Sequence, residues 1–209
     1  MLVSFCSDVS PGPRLLGQDS EEKTIPPVLF ALGGLFVIPF GVPVLPVNAF
    51  LRYSQMLPFS RSVAAERDAA TADLPQLYAD MFGWENTVIT VAQVYRSLPS
   101  AERSQCAILA GNYGEAGAID YYGPALGLPK ALSGHNSYYD WGPRGYSGTC
   151  MIIFGDQSRD FIQLFADVQL AATVDNVHAM PNEQHIAVYL CRKPVAPLAV
   201  LWPRFKMII

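Results

Sequence analysis

Residues 106–123 read CAILAGNYGEAGAIDYYG, a short apolar run followed by a glycine-rich loop and a helical stretch. An apolar run bounded by loop residues is typical of a strand that is buried on both faces of a sheet. A strand that leads into a helix through a short loop is the repeating unit of α/β folds. This stretch therefore predicts that the chain contains an α/β domain.

Segments on both sides continue the alternation of strands and helices. Upstream, apolar residues at helical spacing over 74–98 predict one long helix, or two helices broken at Gly83. Downstream, strands are predicted at 130–133, 149–154, 167–174 and 185–191, and helices at 159–165 and 197–205. We therefore predict a mostly parallel sheet sandwiched by helices, with Rossmann-like layering.

A long uncharged segment precedes this domain. No charged residue lies between Lys23 and Arg52, and residues 28–47 (VLFALGGLFVIPFGVPVLPV) are almost wholly apolar. About 20 such residues span the hydrocarbon of a bilayer, so we predict one transmembrane helix; the alternative is a hydrophobic hairpin in a soluble core. The predicted organisation is a polar segment (1–24), a transmembrane helix (25–47), a connection (48–73) and the α/β domain (74–209).

Composition and charge exclude two classes of protein. Hydrophobic residues make up 51% of the chain and charged residues only 15%, which excludes a disordered protein. The net charge is −4 and there is no lysine or arginine cluster, so nucleic acid is not expected as a partner.

The cysteines do not have the spacing of a metal site. Cys6, Cys106, Cys150 and Cys191 form no CxxC pair, and the last three lie in apolar runs. We predict that they are buried as small hydrophobic side chains and that no metal is bound. The sequence leaves open whether two of Cys106, Cys150 and Cys191 form a disulfide.

Polar and aromatic residues collect in the loops after the Cys106 strand and the Ser133 strand. Ligands of α/β sheets bind at the carboxyl ends of strands, where these two loops should meet. Ring faces beside amides and carboxylates suit a sugar, and a guanidinium suits a phosphate or carboxylate. The predicted substrate-binding residues are Asn112, Tyr113, Glu115, Asp120, His135, Asn136, Tyr138, Trp141 and Arg144.

Other interpretations of these loops are weaker. The glycines at 111, 114 and 117 have the wrong spacing for a dinucleotide fingerprint, and Glu115 would face the pyrophosphate. Glu115 and Asp120 are badly placed round a helix to act as paired hydrolytic carboxylates. The aromatic residues would, in the plainest alternative, only cap the sheet. No cofactor is predicted.

One run in the chain resembles a known family. Asn112 to Gly148, NYGEAGAIDYYGPALGLPKALSGHNSYYDWGPRGYSG, resembles the C-terminal extracytoplasmic domain of bacterial membrane glycosyltransferases of family 39, which are related to dolichyl-phosphate-mannose protein mannosyltransferases. The resemblance extends over residues 27–206 and includes the PVLPV segment, the AMPNE turn at 179–183 and the LCR…LWPRFK ending.

The resemblance implies transfer of a sugar from a polyprenyl-phosphate donor to an acceptor. It places the catalytic carboxylate in a multi-helix membrane region that these 209 residues do not contain. We therefore expect a C-terminal part that assists substrate binding without catalysing transfer, or alternatively a non-catalytic module that docks on a membrane protein. The implied location is the inner (cytoplasmic) membrane, single-pass, with the α/β domain on the periplasmic or extracellular side. The expected partners are the lipid bilayer and a polyprenyl-phosphate-linked sugar or glycan acceptor.

Overall fold

A computed structural model describes residues 27–56 and 74–208. One compact unit ends at Val37 and a second runs from Ile38 to Ile209. The predicted polar segment 1–24 and residues 57–73 of the predicted connection lie outside the described residues.

The described helices are mostly short. They are α1 (Pro27–Gly41), α2 (Val47–Gln55), α3 (Gln76–Ala79), α4 (Trp84–Ser97), α5 (Ser100–Arg103), α6 (Tyr113–Tyr122), α7 (Ser137–Asp140), α8 (Ser158–Phe161) and α9 (Leu198–Leu201). Short 3-10 turns cover Gly123–Leu126, Ile162–Leu164, Pro181–Glu183 and Trp202–Phe205. The strands are β1 (Cys106–Ala110), β2 (Cys150–Phe154), β3 (Phe165–Asp175) and β4 (His185–Pro194).

The helix in the predicted transmembrane segment (25–47) is shorter than predicted, and a second helix lies almost wholly in the predicted connection. Helix α1 ends at Gly41, and α2 begins after Pro46. Pro43 and Pro46 lie between the two helices, and proline lacks the N–H that a continuing helix needs. Among residues 27–56 and 74–208, no helix combines the length and apolar character needed to cross a bilayer. A membrane-spanning role for this segment stays a prediction.

The four strands form one mixed sheet. Their order is β1-β2-β4-β3, with β1 and β2 parallel and the other two pairs antiparallel. The predicted α/β class is confirmed, but the prediction of a mostly parallel sheet is wrong. Only residues 176–184 join β3 to β4, and a connection that short returns the chain antiparallel, because a parallel return needs a crossover of about a dozen residues.

Both faces of the sheet are covered, which explains why β1 and β2 are continuous apolar runs. All five residues of each strand are buried. Alternate side chains enter two separate cores. Ile108 and Ile152 pack with α4 and α6 on one face, and Leu109 and Ile153 pack with Leu198 and the C-terminal aromatic residues on the other. This arrangement fixes the outward path of the loops that follow each strand.

The helical region before β1 is interrupted at Gly83, the position at which the sequence prediction placed a possible break. Gly83 has a φ of +90°, a left-handed conformation that glycine adopts at no steric cost, and it separates α3 from α4. Of the two predictions for residues 74–98, the one with two helices is confirmed.

Candidate functional site

Three segments end side by side, at the carboxyl ends of the parallel strands. β1 and β2 are parallel, and Leu132 adds a single parallel bridge to Leu109 on the other side of β1. The predicted strand 130–133 is thus reduced to one bridge. The loops that begin at Gly111, Ser133 and Gly155 therefore emerge side by side, which confirms the prediction that the first two of these loops meet.

The first loop starts α6 with a capping box. The Asn112 side chain accepts from the Glu115 N–H at 2.9 Å, and Glu115 Oε2 accepts from the Asn112 N–H at 3.0 Å. The other oxygen, Glu115 Oε1, accepts from the Asp156 N–H at 3.0 Å, so one carboxyl group joins the loops after β1 and β2. These contacts fill the helix N-terminus, where a phosphate would otherwise bind.

Glu115 is a buried acid, with 2% of its surface exposed. Its pKa is raised to about 8: burial is the main cause, the negative charges of Asp156 and Glu183 contribute, and the backbone N–H groups of Asp156 and Asn112 oppose the rise. The side chain is therefore mostly protonated at neutral pH. The structure places this predicted substrate-binding residue inside the protein, where it fastens two loops.

Asp156 is held by two side-chain amides. Asn112 Nδ2 donates to Asp156 Oδ2 at 3.2 Å, and Asn182 Nδ2 lies 3.3 Å from the same oxygen. The neighbouring Glu183 has its pKa raised to about 7, first by burial and then by Asp156 and Asp80. A small cavity of about 10 Å³, roughly the space of one water molecule, is lined by both Glu115 and Glu183.

This acidic group does not form a metal centre. In the part of the chain that the structure describes, no set of three His, Cys, Asp or Glu side chains is arranged to hold a metal ion. The sequence prediction missed Asp156, Asn182 and Glu183. The signals available were the Gly-Asp pair after the Cys150 strand and the AMPNE turn, but only the tertiary structure brings these segments to Glu115.

Asp120 anchors the segment that returns to β1. Its Oδ1 accepts from the Ala131 N–H at 2.8 Å, and its Oδ2 lies 3.7 Å from Lys130 Nζ and 3.4 Å from the Tyr138 hydroxyl. Burial and the Asp120 carboxylate raise the pKa of Tyr138, so its hydroxyl remains a donor. A carboxylate with these partners holds the loop in place.

His135 and Asn136 also support the loop. His135 is 5% exposed; its Nδ1 accepts from the Tyr113 N–H at 3.4 Å, and its Nε2 has no hydrogen-bond partner among the described residues. The Asn136 N–H donates to the Met207 carbonyl at 2.9 Å. These contacts fix the C-terminal segment against the loop that carries α7.

The remaining predicted residues form a surface that we call the aromatic ledge, made of Tyr113, Tyr138, Trp141 and Arg144. Tyr113 and Trp141 are 57% and 53% exposed. The Tyr138 and Trp141 rings meet edge to face with centroids 4.5 Å apart, and Arg144 Cζ lies 5.3 Å from the Trp141 centroid. In the structure, the residues predicted for the site thus fall into two groups, those that hold the loops in place and those that the loops expose.

The ledge borders a bare position on α6. Gly117 follows Tyr113 by one turn on the same face of the helix. A Cβ built at Gly117 would have only the Tyr138 hydroxyl oxygen nearby, at 4.0 Å. Tyr113 and Tyr138 therefore border a stretch of helix surface at Gly117 that no side chain of residues 27–56 or 74–208 covers.

Comparison with known proteins gives no relative from which a role could be transferred. The chain matches no family model, and neither the curated proteins nor the solved structures gave a significant match.

Proposed function

We propose that the chain is the C-terminal part of a membrane glycosyltransferase that uses a polyprenyl-phosphate sugar donor. Its α/β unit binds sugar on the aromatic ledge and does not catalyse the transfer. The observation that carries the proposal is the exposure of Tyr113 and Trp141 beside the bare surface at Gly117. Rings exposed in this way offer apolar faces to the C–H face of a sugar ring, and the polar groups around them offer partners for its hydroxyls.

We propose that the α/β unit is not catalytic because of how it holds Glu115 and Asp120, the two acids predicted from the sequence for this site. Glu115 and Asp120 both bind backbone N–H groups, and Glu115 is buried. A catalytic base must reach the acceptor hydroxyl within about 3 Å, directly or through one water molecule. We therefore assign these acids to the loop structure, and the transfer chemistry to the membrane region that the family resemblance implies.

The proposed location is the inner (cytoplasmic) membrane with the α/β unit on the periplasmic or extracellular side. Two observations support it. The side chains of α1 are apolar along the whole helix, and Val28, Leu29, Phe30 and Leu35 are each more than 60% exposed, which favours contact with lipid. Cys106 and Cys150 form a disulfide, and disulfides persist in oxidising compartments.

A non-catalytic module that docks on a membrane protein is the alternative. It is favoured by the number of motif residues whose contacts are internal, including Asn112, Glu115, Asp120 and His135. On this alternative the aromatic ledge would contact protein, and no sugar would stabilise the chain.

Thermal unfolding of the detergent-solubilised chain distinguishes the two proposals. The ligands are a polyprenyl-phosphate hexose, free hexoses and short oligosaccharides. A ligand at a hundred times its Kd stabilises the folded state by about 2.7 kcal/mol, which raises the midpoint. We expect a rise that Trp141→Ala abolishes and Tyr121→Ala preserves, because Tyr121 is an exposed aromatic residue at the end of α6 and is not part of the aromatic ledge. A rise that both variants retain, or no rise with any ligand, would refute sugar binding at the ledge.

A further inference from the structure

Arg144 occupies an unusual place on the aromatic ledge. Its backbone has a φ of +49°, a left-handed conformation that is uncommon for a residue with a side chain, and it lies in a tight loop between Gly142 and Gly145, which also have positive φ. Arg144 Cζ lies over the Trp141 ring, 5.3 Å from its centroid, which is within the range of a cation–π contact. Such a contact limits the positions open to the guanidinium and leaves N–H groups at its edge free to bind a ligand.

The charge of Arg144 is not matched by an acid within the described chain. Glu102 forms an ion pair with Arg192, and the Arg96 side chain donates to the Leu126 carbonyl, whereas Arg144 has neither an ion pair nor a hydrogen bond among the described residues. Of the acids near the ledge, Asp120 is paired with Lys130. The exposed Asp140 precedes Trp141 and makes no ion pair within the same residues.

We infer that Arg144 binds an oxyanion that the sugar itself carries, a phosphate or a carboxylate. A planar guanidinium with free N–H edges forms paired hydrogen bonds with the oxygens of either group. The ring surfaces of Trp141 and Tyr138 lie directly beside it, so a sugar on the ledge would bring an attached oxyanion within its reach. The inference rests on the proposed function and narrows its ligand class to anionic sugars.

Three ligands share this chemistry and can be told apart. They are a hexose phosphate in solution, a hexuronate, and a polyprenyl-phosphate hexose presented in vesicles. Inorganic phosphate tests the oxyanion without the sugar, and the neutral hexose tests the sugar without the oxyanion. A site that needs both parts binds the sugar phosphate or uronate more tightly than either component alone.

The test compares three variants of the full chain by calorimetry or by the shift in unfolding midpoint. Arg144→Gln removes the charge, and Arg144→Lys keeps the charge without the planar guanidinium. Arg159→Gln is the control, because it removes one exposed charge from α8, which is not part of the ledge. Hydrogen bonds to a charged group contribute about 1.5–3 kcal/mol, so we expect Arg144→Gln to weaken binding of the anionic sugar about 10- to 100-fold. Arg144→Lys should recover only part of the loss, and Arg159→Gln should have no effect.

The outcomes separate this inference from the proposed function. Equal affinity for neutral and anionic sugars, lost in Trp141→Ala but kept in Arg144→Gln, would leave sugar binding intact and overturn the role of Arg144. Binding of inorganic phosphate alone, unaffected by Trp141→Ala, would overturn both, since the ledge would then bind no sugar. Tight binding confined to the vesicle ligand would identify the lipid-linked phosphate as the source of the oxyanion.

Discussion

The disulfide between β1 and β2 gives the sharpest prediction for stability. Cys106 and Cys150 are direct neighbours on the two parallel strands, with Cα atoms 4.5 Å apart, and both are buried. The perturbation is the double substitution Cys106→Ala/Cys150→Ala. Cys191→Ala is the matched control, because Cys191 is a free and equally buried cysteine whose side chain packs in the core on the opposite face of the sheet.

The magnitude follows from the loop that the bond closes. The two cysteines are 44 residues apart in sequence. Closing a loop of that length removes chain entropy from the unfolded state worth about 4 kcal/mol at 25 °C. For a unit of this size each kcal/mol moves the midpoint by about 2–4 °C, so the double variant should unfold roughly 8–16 °C lower than the parent. The control loses only the packing of a sulfur atom.

The assay is thermal unfolding followed by circular dichroism, with the bond verified first. Mass spectrometry of the alkylated, unreduced protein should recover the Cys106 and Cys150 peptides linked to each other and Cys191 blocked. A double variant that loses no more stability than Cys191→Ala would refute the reasoning. Recovery of all three cysteines as free thiols from protein purified under oxidising conditions would also refute it.

Three further predictions concern the loops. The pKa of Glu115 is raised to about 8 from an ordinary value near 4.5, so the folded state holds a proton that the unfolded state loses between these two pH values. The free energy of unfolding should therefore fall by up to about 1.4 kcal/mol per pH unit as pH rises through this interval. Glu115→Gln should flatten this slope in urea unfolding measured from pH 5 to 8. Gly155→Ala adds a Cβ only 2.0 Å from Glu115 Oε2, at a residue with a φ of +83°. It should destabilise the fold far more than Gly127→Ala, because Gly127 has a similar φ of +73° but open space around it, so that only the backbone cost of about 1–2 kcal/mol remains. Comparable thermal unfolding midpoints for the two variants would contradict this. Asp120→Ala leaves the Ala131 N–H without its acceptor and should lower the free energy of unfolding, measured by chemical denaturation, by about 1–3 kcal/mol. Lys130→Gln removes only the exposed partner of the ion pair and should lower it by less than about 1 kcal/mol. A larger loss in Lys130→Gln than in Asp120→Ala would show that the ion pair dominates.

Much of the fold could be predicted because local sequence determines it. The runs CAILA and CMIIF are buried on both faces, and such runs are recognisable without any knowledge of their neighbours. The break at Gly83 and the start of α6 at Asn112 likewise depend on residues within one turn of each position. These are the features in which sequence and structure agree.

Strand direction and pairing could not be predicted in the same way. Whether β4 runs parallel or antiparallel to β2 depends on contacts between residues about 40 positions apart, such as Met151 and Cys191. The disulfide stayed open for the same reason, since it requires the register that places Cys106 opposite Cys150. The hydrophobic pattern of one strand restricts which face its side chains take, but it does not identify the strand with which it pairs.

Composition suggested the residues of the candidate site, and it gave no sign that they would divide into two groups. From the sequence alone, Glu115 at the third position of α6 and Tyr113 at the first are equally good candidates for binding a ligand. Glu115 turned inward because Gly155 and Asp156 approach it from another loop, and Tyr113 turned outward because it lies at the start of α6. Burial, which only the assembled loops decide, separates the two roles.

The outer strand β3 raises a question of self-association. Among the described strands it pairs only with β4, so its other side is an open sheet edge along most of its eleven residues, with Val168 and Leu170 exposed. Such an edge can recruit the same strand of another copy. The register shift between Leu170 and Ala172 interrupts its regular hydrogen-bonding repeat and divides it into two shorter segments, and Asp175 places a negative charge at its end. We therefore expect this irregularity to hinder edge-to-edge pairing between copies of the chain, and we expect deletion of Ala171, which would straighten the strand, to promote such pairing.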